Sequence, residues 1–437
     1  MYIETTEKLL EFIEKSPTAF QAVDEMKKRF TEGGFQVLSE REHWNLIPGG
    51  KYVVTRNNSA LIAFAIPEDP PFAFHIMASH SDSPTFKIKE NPEMKVDGSY
   101  VKLNVEKYGG MLMAPWFDRP LSIAGRVIVR ENGGLVEKLV NIERDLVMIP
   151  NLAIHMNREA NNGTAYNPQK DMLPLFAAEN TDRTLLEMIA EQVGADRSDI
   201  LSHDLFLYNR MPGTIWGADR EFVSSARLDD LQCAFSSMEG LLRAETRENI
   251  AVHCVLDNEE VGSGTKQGAA STFLKDTLLR INTGLGRTYE EYLMTLAGSF
   301  MVSADNAHAL HPNYADKTDP VNHPVLNKGI VIKYNAKDPA AAKRFADIAR
   351  FVGLEGMSEK ALINSLCNKI DEYNRQLNIP STLKDFGIQE EEFKEKIAHI
   401  SELAITDACT GSNPRAIDAK LMEQLFNCTY YGTEVDF

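Results

Sequence analysis

The chain has 437 residues, 43% hydrophobic and 25% charged, with a formal net charge of −17 at pH 7. That length exceeds what a single hydrophobic core usually serves, so two or three cores are expected. The acidic balance argues against nucleic acid or an anionic membrane surface as a partner, and an acidic substrate would meet an unfavourable field unless bound metals or local Lys and Arg reversed it.

In chain order, residues 4–30 have the pattern of an amphipathic helix or helix pair broken at Ser16-Pro17, with Leu9, Leu10, Phe12 and Ile13 as a core-facing stripe. Strand-like runs follow at 51–55, 60–66 and 72–79. From about 85 to 222 the texture changes to short alternating runs, such as Val101–Val105 and Ile123–Val129, separated by turns at Asn132-Gly133-Gly134 and Asn161-Asn162-Gly163. This predicts a β-rich inserted domain. Arg227-Leu228-Asp229-Asp230 opens a helix-like stretch running to Leu242, and Val252–Asn258 is an apolar strand. From about 337 onward the pattern is almost entirely helical. No repeat, low-complexity tract or run of 18 apolar residues is present, and Met1–Glu7 has neither the basic nor the apolar part of a leader. Five cysteines at 233, 254, 367, 409 and 428, without CxxC spacing, predict reduced, buried thiols in a cytoplasmic protein.

The chemistry is concentrated in four clusters. Glu259 and Glu260 close the 252–258 strand and precede Val261-Gly262-Ser263-Gly264, which places them at a strand's carboxyl end, where open α/β sheets bind ligands. Two adjacent carboxylates beside an apolar strand end repel each other, and a divalent metal relieves this most simply; a solvated Glu-Glu turn is the alternative. The apolar run 73–79 ends in His80-Ser81-Asp82, where Asp82 can accept the hydrogen bond that fixes the tautomer of a metal-binding His80. Asp229 or Asp230 is either a ligand or an N-terminal helix acid. Asp305, His308 and His311 lie within seven residues after another apolar segment. A ligand set of His, Asp and Glu without Cys suits Zn, Mn or Co in a carboxylate-bridged pair, and metal-assisted hydrolysis is the reaction class.

At these residues the chain resembles the aspartyl aminopeptidase (aminopeptidase I) family of dinuclear zinc exopeptidases. The matching stretches are Ser79–Pro84, Tyr108-Gly109-Gly110, Trp116–Leu121, Ile154–Arg158, Ala226–Asp230, Asp257–Gly264, Asp305–Tyr314 and Pro324–Gly329. The resemblance implies that His80 and Asp305 bind one zinc, Glu260 the other, and Asp229 bridges them. Glu259 is then the general base that deprotonates the attacking water, and Asp82 orients His80. His155 is implied to reach into a neighbouring subunit's site, within a dodecamer that removes amino-terminal residues, often Asp or Glu, from peptides. His308 and His311 are expected to be structural or supporting. The implied fold is α/β: a zinc-exopeptidase-like sheet domain of residues 1–84 plus 223–336, with a β-rich oligomerisation domain at 85–222 inserted in it.

Residues 337–437 follow a different pattern and resemble the carboxyl-terminal helical region of iron-dependent alcohol dehydrogenases, on Arg344–Ala349, Leu377–Lys384, Asp407–Arg415 and Tyr430–Phe437. A junction is expected within about 330–342. The aminopeptidase family ends in a strand whose histidine ligates the second zinc, whereas no histidine follows His399 here, on an ordinary helix face. The second site is therefore expected to be weakened, and a catalytically impaired or chimeric oligomer is the alternative to a working aminopeptidase. A dehydrogenase-related protein is a further alternative, although Val261–Gly268 lacks the spacing of a nucleotide-phosphate loop.

Overall fold

Apolar runs that alternate little along their length belong in the middle of a sheet covered on both faces, and Ala60–Ala65 is buried at every position. In the computed structural model it is β3 of a six-stranded mixed sheet. The structure describes residues 2–69, 73–181, 183–245, 248–319, 323–333, 349, 354, 359–376, 380, 382–406, 417–433 and 435. The strands of this first sheet are β1 (Gln36–Leu38), β2 (Lys51–Arg56), β3, β4 (Phe74–His80), β13 (Ile250–Leu256) and β14 (Phe300–Ser303), in the order β1-β2-β3-β13-β4-β14. β13 and β14 both run parallel to β4, with Leu256 opposite His80 and Ser303 opposite Ala78. Three carboxyl ends therefore emerge side by side.

Helices α1 (Tyr2–Glu14), α2 (Ala19–Glu32) and α4 (Leu228–Arg243) cover one face, through Phe12, Phe30, Phe235 and Met238 on Val53, Leu61 and Val255. The other face, with Tyr52, Ile62, Phe64 and Cys254, packs against Phe273 and Ile281 of α5 (Phe273–Gly284) and Tyr292 of α6 (Tyr289–Ala297). The expected break at Ser16-Pro17 is the α1–α2 turn.

The stretch after β4 builds a second, antiparallel sheet in the order β8-β7-β10-β5-β6-β9. Its strands are β5 (Thr85–Val96), β6 (Tyr100–Tyr108), β7 (Leu121–Glu131), β8 (Gly134–Asn141), β9 (Leu175–Ala178) and β10 (Ile200–Asn209). Helix α3 (Leu185–Val193) begins at a reciprocal capping box of Thr184 and Glu187 and places Leu185 and Ile189 in this sheet's core. A short ribbon of β11 (Thr214–Trp216) and β12 (Phe222–Ser224) leads back to α4.

Residues divide into two compact units, Met1–Lys328 and Gly329–Phe437. In the second unit the described elements are helices: α7 (Glu359–Gln376), α8 (Glu390–Thr406) and α9 (Ala419–Tyr431). Phe393 of α8 stacks on Tyr430 of α9 at 4.2 Å between ring centroids, and the Tyr430 hydroxyl donates to the Ile388 carbonyl at 3.0 Å. The resemblance runs at 344–348, 377–379 and 407–415, and the expected junction from 334 on, lie outside the described residues. One expectation is corrected: of the four described cysteines only Cys254 is buried, and Cys367, in α7, is exposed. Cys409 lies outside the described residues.

Candidate metal centre

The centre forms where the three parallel strands end. β4 delivers His80, the turn after β13 delivers Glu259 and Glu260, the segment after β14 delivers Asp305, and the start of α4 delivers Asp229 and Asp230. One ligand atom from each of His80, Asp229, Asp230 and Asp305 falls within 4.8 Å of the others, and His80, Glu259 and Glu260 form a second such group. His80 Nε2 is 3.3 Å from Asp229 Oδ1 and 4.0 Å from Glu259 Oε2. The four clusters read from the sequence thus converge, around a single histidine among the described residues.

Asp82 is buried at the hub. Its Oδ1 lies 3.3 Å from His80 Nδ1, which is 3.1 Å from the Asp82 carbonyl oxygen. The same carboxylate accepts the backbone N–H of Glu259 at 3.1 Å and that of Glu260 at 3.2 Å. It therefore fixes both the histidine and the turn carrying the two glutamates. The fourth partner was quoted from the sequence only as part of a matching stretch, without a role: the Tyr108 hydroxyl, at the end of β6, donates to Asp82 Oδ2 at 2.8 Å. Next to it, Gly109 has φ +77°, and a Cβ there would sit 2.9 Å from Glu260 Cβ.

Asp230 was left as an alternative to Asp229, and the structure includes both in the first group. The Asp230 side chain does not cap α4. It is fully buried, its Oδ2 accepts the His80 backbone N–H at 3.1 Å, and its Oδ1 has no hydrogen-bond partner. A buried carboxylate oxygen left open in this way fits a cation.

The electrostatics point the same way. Burial, then the charges of Asp82, Asp229 and Glu259, push Glu260 up to about 7, against the pull of His80. Burial raises Asp230 to about 6, and burial with Asp82 raises Asp257 to about 6. Burial would by itself lower His80, but the Asp229 and Asp82 hydrogen bonds and the Asp230 charge overcome it and hold the imidazole up at about 11. The carboxylates are crowded, and His80 is the cation that lowers Glu260 and Asp230; a divalent ion held here would supply the missing positive charge. The donor set of oxygen and imidazole nitrogen without thiolate suits zinc or manganese. A cavity of about 490 Å³ opens against the hub, lined in part by Asp82, Tyr108, Trp116, Arg227, Asp229 and Asp257.

Not every expected residue is brought in. His155 is exposed on the turn after Asn151 and belongs to neither ligand group. His308 is exposed, and His311 accepts the Asn313 backbone N–H and faces Tyr314.

Comparison with known proteins gives two matches. Residues 12–361 match the aminopeptidase I zinc metalloprotease (M18) family, and residues 326–430 match the C-terminal region of the Fe-containing alcohol dehydrogenase family. The two overlap over 326–361, which contains the junction expected at 330–342. The "Probable M18 family aminopeptidase 2" of Clostridium acetobutylicum is 46% identical over 342 residues, covering 76% of this chain and 79% of its own. That of Clostridium novyi is 44% identical over 377 residues, 84% of each. Among solved structures, one of an Ape4 and Nbr1 complex aligns with TM-score 0.72 and 36% identity, covering 79% of this chain and 73% of that one. The mApe1 of Chaetomium thermophilum aligns with TM-score 0.71 and 31% identity, covering 80% and 85%. An S. cerevisiae mApe1 dodecamer aligns with TM-score 0.68 and 25% identity, covering 84% and 88%. With its α/β architecture and its carboxylate-rich centre at the strand ends, the chain belongs to the aminopeptidase I zinc metalloprotease (M18) family, and its carboxyl-terminal residues additionally match the alcohol dehydrogenase C-terminal family.

Proposed function

We propose that the protein removes amino-terminal residues, Asp and Glu among them, from peptides, with His80, Asp229, Glu260 and Asp305 as metal ligands and Glu259 as general base. The observation that carries this reading is the convergence of His80, Asp229, Asp230, Asp305, Glu259 and Glu260 at the carboxyl ends of β4, β13 and β14. Zinc held by these groups would lower the pKa of a water and polarise the scissile carbonyl. Glu259 is exposed, faces His80 Nε2, and takes the proton from the attacking water before passing it to the leaving amine. Asp82 holds His80 and the backbone of Glu259 and Glu260, so the base and the ligands keep one geometry.

The site is read as dinuclear, with Asp229 bridging, His80 and Asp305 on one zinc and Glu260 on the second. His80 is shared by both ligand groups and no second histidine joins them among the described residues, which supports a second zinc held more weakly than the first. His155 serves a neighbouring subunit in a homo-oligomer, a reading supported by its exposure and by the dodecamer of the S. cerevisiae relative. Domain roles follow the chain: residues 1–84 with 223–336 are catalytic, 85–222 are the inserted assembly domain, and 337–437 are a tail. The described residues contain no helix long and apolar enough to cross a membrane, and a cytoplasmic enzyme is our reading. The dehydrogenase alternative is not favoured, because its match is confined to residues 326–430.

The test is zinc content together with hydrolysis of aspartyl, glutamyl and leucyl anilides, beside Glu259→Gln. We expect zinc-dependent release, fastest for an acidic residue, and a loss of roughly 10²–10⁴-fold in kcat with metal retained in the variant. Full activity of Glu259→Gln removes Glu259 as the base, and two equally tight zinc ions remove the weakened second site.

A further inference from the structure

We propose that Tyr108, contributed by the second sheet, is a positioning residue for the metal centre: its hydroxyl proton holds Asp82, and through Asp82 it sets His80 and the Glu259–Glu260 turn. The direction of this hydrogen bond follows from a chain of donors. Thr265 Oγ1 and Gln267 Nε2 both donate to Asn258 Oδ1, at 2.7 and 2.8 Å. With its oxygen so engaged, Asn258 presents its amide N–H, and Nδ2 donates to the Tyr108 hydroxyl oxygen at 2.8 Å. The one proton of that hydroxyl then goes to Asp82 Oδ2, 2.8 Å away. Every link is within ordinary hydrogen-bond distance, and the relay is polarised in one direction toward a buried carboxylate.

The same carboxylate also accepts the Glu259 and Glu260 backbone N–H groups and lies against His80 Nδ1. Removing the Tyr108 oxygen takes the hydroxyl acceptor from Asn258 Nδ2 and removes one of the four groups that hold the Asp82 carboxylate. Asp82 touches no reacting atom in this arrangement, so Tyr108 acts through it, at one remove. Through the Tyr108 hydroxyl, which bonds both Asp82 and Asn258, β6 of the second sheet reaches the centre.

This inference rests on the metal-centre reading, and its test separates the two. The measurement is Co(II) affinity by competition with a chelator, with the visible d–d spectrum of the Co(II) protein, for wild type, Tyr108→Phe and Tyr52→Phe. Tyr52 is a matched control: it is buried in the first sheet and its hydroxyl accepts the Ile47 N–H at 3.0 Å. Tyr108→Phe is expected to weaken Co(II) by about 10–100-fold and change the spectrum, while Tyr52→Phe leaves both unchanged. In the anilide assay kcat should fall with KM little altered. Wild-type affinity and spectrum in Tyr108→Phe overturn the proposal; failure of wild type to bind Co(II) overturns the metal-centre reading itself. If Tyr108→Phe does not fold, Gln267→Met, which removes one of the two donors fixing Asn258, must show a smaller weakening, and unchanged Co(II) binding there overturns the proposal as well.

Discussion

Gly109 shows how tightly single residues constrain the centre. Its φ of +77° lies in the left-handed region, and a Cβ would stand 2.9 Å from Glu260 Cβ and 3.4 Å from Pro84 Cα. A side chain there meets both a conformational cost and a clash with a candidate ligand. Gly109→Ala should therefore destabilise by roughly 1–2 kcal/mol in urea unfolding and also weaken metal binding. Gly110 has open space around it and no left-handed φ, so Gly110→Ala should stay within about 0.5 kcal/mol of wild type. Equal effects of the two substitutions would show that the approach to Glu260 is unimportant. At this scale the sequence is informative about residue type and weak about partners. His80, Asp229, Glu259, Glu260 and Asp305 are legible because each follows an apolar run or opens a helix. The role of Tyr108, quoted only within a matching stretch, is not: its partners Asp82 and Asn258 lie 26 and 150 residues away, and no local pattern encodes so distant a contact. Asp229 and Asp230 are neighbours at a helix start, and only the packing against His80 distinguishes the buried one from the exposed one.

Strands show a similar gradient. β2, β3 and β13 are apolar runs covered on both faces, β4 is apolar but exposed at His75 and Met77, and the sequence places all four within a residue or two. β1, at three residues, and α3, at nine, are too short for periodicity to single out, although the Thr184–Glu187 box was a usable signal for α3. β13 also carries a residue that its apolar pattern hides. His253 is buried, 5.4 Å from the Phe30 ring by centroids, and neither ring nitrogen has a hydrogen-bond partner. Burial alone depresses its pKa from 6.5 to about 3. Above 6.5 the imidazole is neutral whether the chain is folded or not, and the group adds no pH dependence. Below 6.5 the unfolded chain takes up a proton that the folded one refuses until pH approaches 3. Stability is therefore lost as pH falls through that window, at up to about 1.4 kcal/mol per pH unit. His253→Phe should reduce the slope of unfolding free energy between pH 6 and 4.5 by close to one proton's worth; an unchanged slope would mean that His253 is protonated in the fold.

For the molecule as a whole, two compact units and one metal centre have separate consequences. Every ligand and supporting residue of the centre lies between His80 and Asp305, inside the unit Met1–Lys328, whereas the described residues of Gly329–Phe437 form helices with their own small cores around Leu362 and around Phe393 and Tyr430. A ligand stabilises what it binds and leaves the rest alone: zinc at 100 times its dissociation constant adds about 2.7 kcal/mol to the folded form that holds it. The carboxylates crowded at Asp230, Asp257 and Glu260 make the metal-free unit the less stable partner in that comparison, since their mutual repulsion is relieved on unfolding as well as by the cation. Differential scanning calorimetry of the full chain, with zinc and then with a chelator, is expected to show two transitions. The larger, by enthalpy, belongs to residues 1–328 and should move down in temperature on chelation, while the smaller stays in place. A shift of both together would mean that the two units unfold as one, and a shift of the smaller alone would place the metal in the tail.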